Sequence, residues 1–360
     1  MRDRIVAVQV LRFIACTSVI VHHALALAMG ASSSAACALG RHTCEVGAAG
    51  VDIFFVISGF VITLTGPLAN PRPTAAIFYW RRWRRVAPTF YVLSLIFLAR
   101  PNLNTPQTLA TLTFWPVYGG RAVVPYLENG WSLCFEMIFY TGVTLLLTLR
   151  DLRLWVLFGG CTVASLVVLR LQSDSAALRF LANPAFLEFA IGVVLAFLWG
   201  KLRDVPPQIG ACLMALAAAA FAIESAVGTG GVFVREAFIE DRSGLSRVAI
   251  FGLPSAALVS GALICGRSWG GFAVRQMERL GDASYSLYLT HPFTNVLLGH
   301  KFAGHSASPW LVIGASVGLA LLSGLFVYWV VERPLTALMQ GAWLRRITPT
   351  HPTLVGIPPK

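Results

Sequence analysis

Apolar runs of membrane-spanning length recur along almost the whole chain. They fall at about residues 5–29, 50–68, 83–100, 131–149, 154–171, 181–200, 207–224, 245–265, 281–298 and 310–331. A helix needs about 20 predominantly apolar residues to cross the hydrocarbon core. Lipid offers no hydrogen bonds to the backbone, so each run must pair its own N–H and C=O groups as a helix. The chain is therefore expected to be an all-α integral membrane protein of about ten transmembrane helices around a central polar cavity. Only 12% of its 360 residues are charged and 56% are hydrophobic, whereas a soluble domain carries about 25% charge. Mean hydropathy is +0.71. A soluble enzyme, a disordered chain and a nucleic-acid binder are excluded. The first run begins at about Ile5 and is long enough to span, so it reads as a retained helix and not as a cleaved signal.

Net charge is +12, with 28 Lys and Arg, most of them between apolar runs, where they orient helices. The stretch 108–118 is apolar but short and is followed by Gly119 and Gly120, so it reads as a re-entrant or buried segment. With that stretch non-spanning and the N-terminus inside, eighteen Lys and Arg lie inside, nine outside, and Arg12 within the membrane. This asymmetry follows the positive-inside rule and places both termini in the cytoplasm. Residues 1–335 form the membrane domain, and 336–360 a cytoplasmic tail expected to be partly disordered.

Seven cysteines include no CxxC pair, and no metal-ligand set is evident. Cys16, Cys134, Cys161, Cys212 and Cys265 lie in apolar runs and are expected to be small buried hydrophobes. Cys37 and Cys44 are able to pair if their loop faces an oxidising compartment. The chain carries no P-loop, GxSxG, HExxH or supported GxGxxG motif.

Ionisable groups inside spans are costly and mark functional candidates. Arg12 and His23 are eleven residues apart, about three helical turns, so they share a face with Cys16. That stripe is expected to line a polar pocket; alternatively Arg12 snorkels to the inner surface and His23 satisfies a neighbouring helix. Asp52 opens the second run and reads either as a site residue or as a cap favoured by the helix dipole. Arg81, Arg82, Arg84 and Arg85 stand at the cytoplasmic mouth of the third run. Guanidinium forks suit phosphate oxygens, although basic clusters there also serve as topology signals. Ser132, Glu136 and Tyr140 recur every four residues and form a polar stripe, with Glu136 placed at a depth comparable to His23. Glu188 reads as a site carboxylate or as a packing hydrogen bond between helices. His291 reads as a second acid/base group or as a hydrogen-bond partner at the His291-Pro292 kink.

These segments, in order, resemble the membrane-bound acyltransferase-3 family. Gln9-Val10-Leu11-Arg12-Phe13-Ile14-Ala15 followed by His23-Ala24 resembles the family's Arg-x10-His opening. Gly50-Val51-Asp52-Ile53-Phe54-Phe55-Val56-Ile57-Ser58-Gly59-Phe60 resembles its second motif, and Arg82-x-x-Arg85 with Pro88 its cytoplasmic arginine motif. Trp131-Ser132-Leu133 with Glu136 and Phe139-Tyr140 resembles its serine–glutamate motif. Ser284-Tyr285-Ser286-Leu287-Tyr288-Leu289-Thr290-His291-Pro292 and Glu332-Arg333-Pro334 resemble the closing motifs. The wording is nearest the exopolysaccharide, or sugar O-acetyltransferase, branch. Two features depart from the family pattern. Met137 stands where a second acidic residue is common, and the chain ends without the extracellular esterase-like domain of some members, so transfer is expected to finish within the membrane domain.

The resemblance implies no permanently bound cofactor but an acyl-CoA donor, usually acetyl-CoA, from the cytoplasm. The implied acceptor is a sugar hydroxyl of an exported, surface or lipid-linked glycan at a bacterial inner membrane, and polysaccharide assembly machinery is a possible partner. On this reading His23 is the general base, oriented by Glu136 unless Glu136 contacts the acceptor. Arg81, Arg82 and Arg85 hold the coenzyme's phosphates. Arg12 lines the path of the acyl arm or stabilises developing negative charge. Asp52, Ser132, Tyr140 and His291 are acceptor-side or structural polar groups. The rival reading from composition and buried charge is a secondary transporter or flippase for a glycan precursor.

Overall fold

The computed structural model describes residues 5–31, 45–99, 101–149, 173–228, 244–302 and 308–347, with single positions at 160, 163, 167, 168, 171 and 239. Nearly all of the described chain is helical. Helix α1 (Val6–Ala31) has 26 residues, about 39 Å at 1.5 Å per residue. It occupies the middle of the bundle. Packed around it are α2 (Gly50–Thr65), α9 (Leu253–Cys265), α10 (Phe272–Asp282), α11 (Ser284–Phe302) and α12 (Pro309–Val327). Between α2 and α9 in sequence lie α3 (Ala75–Leu98), α4 (Thr105–Thr113), α5 (Trp131–Leu146), α6 (Ala176–Leu181), α7 (Phe186–Leu202) and α8 (Pro207–Val227). The last helix, α13, is Arg333–Ile347, so it runs across the 335/336 boundary expected from sequence. Residues from 348 onward, Cys37, Cys44, Cys161 and most of the expected 154–171 span lie outside the described residues.

Among the described residues, six helical stretches are long and apolar enough to cross a membrane: Val6–Met29, Glu45–Thr65, Ala176–Leu202, Pro207–Val227, Leu245–Cys265 and Pro309–Gln340. The protein is a multi-pass membrane protein. Three further expected runs are helical but fall short of that length or apolarity. Helix α3 carries four arginines, α5 has only 16 residues, and α11 carries Ser, Tyr, Thr, His and Asn. The 108–118 segment does not span. It is the nine-residue α4 followed by a two-residue antiparallel ladder, Val117–Tyr118 with Arg121–Ala122. Ala110 and Thr111 are buried there, while Leu109 and Leu112 face outward.

Outward apolar side chains such as Leu216, Ile223, Leu311, Leu322 and Phe326 are at home against lipid and would form an unstable patch in water. Cys212 lies on this outer side of α8 and is exposed, contrary to expectation, whereas Cys16, Cys134 and Cys265 are buried. Helix α8 packs chiefly on α9, so most of its circumference, Cys212 included, is left to lipid.

Small residues let the inner helices approach closely. A side chain on Gly59 of α2 would collide with the Phe189 carbonyl of α7, and one on Gly192 of α7 with the Val56 carbonyl of α2. Two π-helical turns, Val248–Gly252 and Tyr328–Glu332, interrupt the later helices. Such turns re-aim side chains and often occur at functional sites. Here they adjoin Arg247 and contain Glu332.

Candidate active site

Two cavities open between the helices around α1. The first, about 150 Å³, is lined by Arg12, Arg82, Arg85, Glu136, Tyr140 and Ser58 among others, with apolar walls from Val61, Ile62, Val86 and Leu133. Helix α3 begins at Ala75, capped by the Thr74 side chain, which accepts from the Ile77 N–H at 3.3 Å. Arg82 is therefore seven residues inside the helix, about 10 Å along its axis. Its guanidinium donates to Thr65 Oγ1 at 2.5 Å and lies over the Phe78 ring at 5.7 Å. Arg81 and Arg85 are both exposed, but Arg85 joins Arg82 on the cavity wall and Arg81 does not line this cavity. Glu136 Oε1 accepts from Ser58 Oγ at 3.1 Å and from the Tyr140 hydroxyl. Arg12 faces the repulsion of Arg85 and the attraction of Glu332, Glu136 and Asp282. Ser286 Oγ donates to Glu332 Oε2 at 2.5 Å and fixes the last helical carboxylate.

The second cavity, about 250 Å³, is lined by His22, His23, His291, Asn129, Asn295 and Arg247 among others. The rings of His23 and His291 stack at 5.0 Å, and His22 meets His23 edge-on at 4.7 Å. The His291 ring lies against the Tyr288 and Leu287 backbone at the Pro292 kink, in keeping with the kink-partner reading. Thr290 and Thr294 bond to nearby carbonyls, at 2.9 and 2.8 Å. The three imidazoles do not form a metal-holding group; none exists among the described residues.

Asp52 is buried, and Arg247 donates to its Oδ2 at 2.7 Å. This replaces the capping reading, since Ala49 is the N-cap of α2 and has no side-chain cap. Arg247 is itself buried, with only 6% of it exposed. Glu188 is fully buried beside this pair, where both Asp52 and Arg247 act on it electrostatically. Its carboxyl group and that of Asp52, on the neighbouring helix α2, interact by hydrogen bonding, in keeping with the inter-helix reading of Glu188.

Glu136 lines the first cavity and His23 the second. Ser132, Glu136 and Tyr140 do form the expected stripe, with Ser132 at the partition between the cavities.

Val51 and Tyr288 line both cavities. Pro292 has no N–H to give to the carbonyl four residues earlier, which is that of Tyr288. Asn129 Nδ2 donates to this carbonyl instead. The Tyr288 hydroxyl lies 2.8 Å from Ser132 Oγ and donates to the Asn129 carbonyl at 3.1 Å. The sequence reading left out Tyr288, Asn129, Ser58 and Arg247. The proline spacing in the 284–292 block was the one signal that pointed to Tyr288.

The acyltransferase-domain family model matches residues 5–329 of this chain. The chain belongs to the acyltransferase-3 family. The exopolysaccharide production protein ExoZ of Rhizobium meliloti (strain 1021) is 30% identical over 321 residues, covering 85% of this chain and 94% of that protein. Nodulation protein 10 of Rhizobium leguminosarum bv. viciae is 27% identical, covering 84% of this chain and 85% of that protein. Acyltransferase MdmB of Streptomyces mycarofaciens is 24% identical, covering 83% of each. No solved structure matches the chain. The protein is an acyltransferase, and within this family member the Arg-x10-His pair spans the two cavities, Arg12 in one and His23 in the other.

Proposed function

We propose that the protein moves an acyl group, in the simplest case acetyl, from acyl-CoA to a sugar hydroxyl of an exported or surface glycan. The observation that carries this reading is the meeting of a three-guanidinium cavity and an imidazole cavity at two residues, Val51 and Tyr288. Arg82 and Arg85 offer forked donors to the phosphates of the coenzyme, and the apolar wall beside them accepts the uncharged arm. Glu136 and Glu332 balance the guanidiniums so that the cavity tolerates its charge before the donor arrives. Arg12 lines the donor's path.

The sugar hydroxyl enters the histidine cavity. A neutral imidazole suits removal of its proton near neutral pH, and His23 takes that role, with His291 stacked behind it. Glycan acetylation is supported by the names of ExoZ and nodulation protein 10, which concern exopolysaccharide production and nodulation. The eighteen-to-nine division of basic residues supports ten spans, cytoplasmic termini and an arginine cavity open to the cytoplasm of a bacterial inner membrane.

The test uses the full chain in nanodiscs with labelled acetyl-CoA and exopolysaccharide from the source organism, stripped of its O-acetyl groups by mild alkali. Label is expected in the glycan. Absence of label there, together with saturable glycan flux into vesicles without acetyl-CoA, would establish a transporter instead.

A further inference from the structure

Tyr288 is held at both ends. Its backbone carbonyl, released by Pro292, accepts from Asn129 Nδ2, and its hydroxyl donates to the Asn129 carbonyl at 3.1 Å. Its ring meets Phe54 at 6.1 Å and His291 at 5.7 Å. The phenol is 6% exposed and stands where the two cavities adjoin. A thioester approaching through one cavity and a hydroxyl through the other must meet beside it.

The hydroxyl's partners leave its proton transferable. Ser132 Oγ also donates to the Asn129 carbonyl, at 3.1 Å. That carbonyl has two lone pairs and Ser132 carries its own proton. Ser132 and Asn129 therefore remain satisfied when the Tyr288 O–H turns toward a third oxygen. Arg12, the other cavity donor on the His23 stripe, is eleven residues from His23. Along α1 that is about 16 Å, too far for both groups to serve one carbonyl carbon.

We propose that the Tyr288 hydroxyl is the hydrogen-bond donor to the oxyanion formed during acyl transfer. This rests on the acyl-CoA reading above. The acceptor's oxygen bonds to the thioester carbon, its proton passes to His23, and the carbonyl π electrons move onto oxygen, where the Tyr288 O–H meets them. When the carbonyl re-forms, the C–S bond breaks. The coenzyme leaves as a thiolate and takes up the proton held by His23. One thioester and one alcohol give one ester and one thiol. A fixed donor in a site shielded from water is worth far more to such a charge than the same donor in water.

The test compares Tyr288→Phe with wild type in nanodiscs, using acetyl-CoA and the de-O-acetylated exopolysaccharide. The expected result is a kcat about 100-fold lower, with the KM for acetyl-CoA within about threefold and an unchanged melting temperature. A kcat within about threefold of wild type overturns the proposal. Should Tyr288→Phe fail to fold, a series of ring-fluorinated tyrosines at position 288 keeps the shape and varies the acidity of the phenol. A rate that tracks acidity supports the donor role, which mere packing would not produce, and a flat series overturns it. An active Tyr288→Phe beside an inactive His23→Ala sinks this assignment alone. A wild type that transfers no label sinks both readings.

Discussion

In the arginine cavity the guanidiniums of Arg12 and Arg82 face carboxylates, and Glu136 is itself held by Ser58 and Tyr140. The histidine cavity is lined by stacked rings together with Asn129, Asn295, Glu128 and Arg247, and Arg247 is paired with Asp52. The first arrangement suits a multiply charged ligand, because its charges are already opposed and need little reorganisation. The second, with its imidazoles and asparagines, suits a hydroxyl-rich ligand and a proton acceptor. Tyr288 belongs to both regions.

Four substitutions probe this contrast. His23→Ala is expected to lower kcat by about 10³-fold, the scale of a lost general base, with the KM for acetyl-CoA nearly unchanged. Single-turnover label transfer measures it, and a loss under about tenfold would remove the division of labour between the cavities. Asp52→Ala leaves Arg247 buried without its carboxylate. It is expected to destabilise the protein by about 3–5 kcal/mol in unfolding titrations, and Asp52→Leu with Arg247→Leu to recover most of the loss.

Arg82→Ala is expected to raise the KM for acetyl-CoA by about 10- to 100-fold, the worth of a charge-assisted contact. Arg82→Lys should restore only part, since an ammonium has no fork. An equal effect on acceptor KM would blur the two regions into one. Arg81→Ala is expected to change donor KM by no more than about twofold, because an exposed charge is screened by water and salt. A larger shift would extend the donor site onto the outer face of α3.

Much of the arginine and histidine placement was legible because it depends on helical period alone. Arg12 and His23 fall on one face at eleven-residue spacing, and Arg82 and Arg85 at three. The partners of Glu136, Ser58 and Tyr140, were not both legible: Tyr140 follows from the four-residue helical spacing, whereas Ser58 lies 78 residues away. Asp52 looked like a cap because its partner, Arg247, lies 195 residues away. Tyr288 was one hydroxyl among several in its block until Asn129, 159 residues distant, picked it out.

The amino-acid order alone made this chain a bundle of membrane helices and put its basic and imidazole groups on particular helix faces. Backbone pairing in lipid and a period of 3.6 residues are local rules that need no partner. Which polar groups meet was decided only by packing. Close approaches such as Gly59 against Phe189 set the helix crossings, and those crossings brought Glu136 to Ser58 and Asn129 to Tyr288.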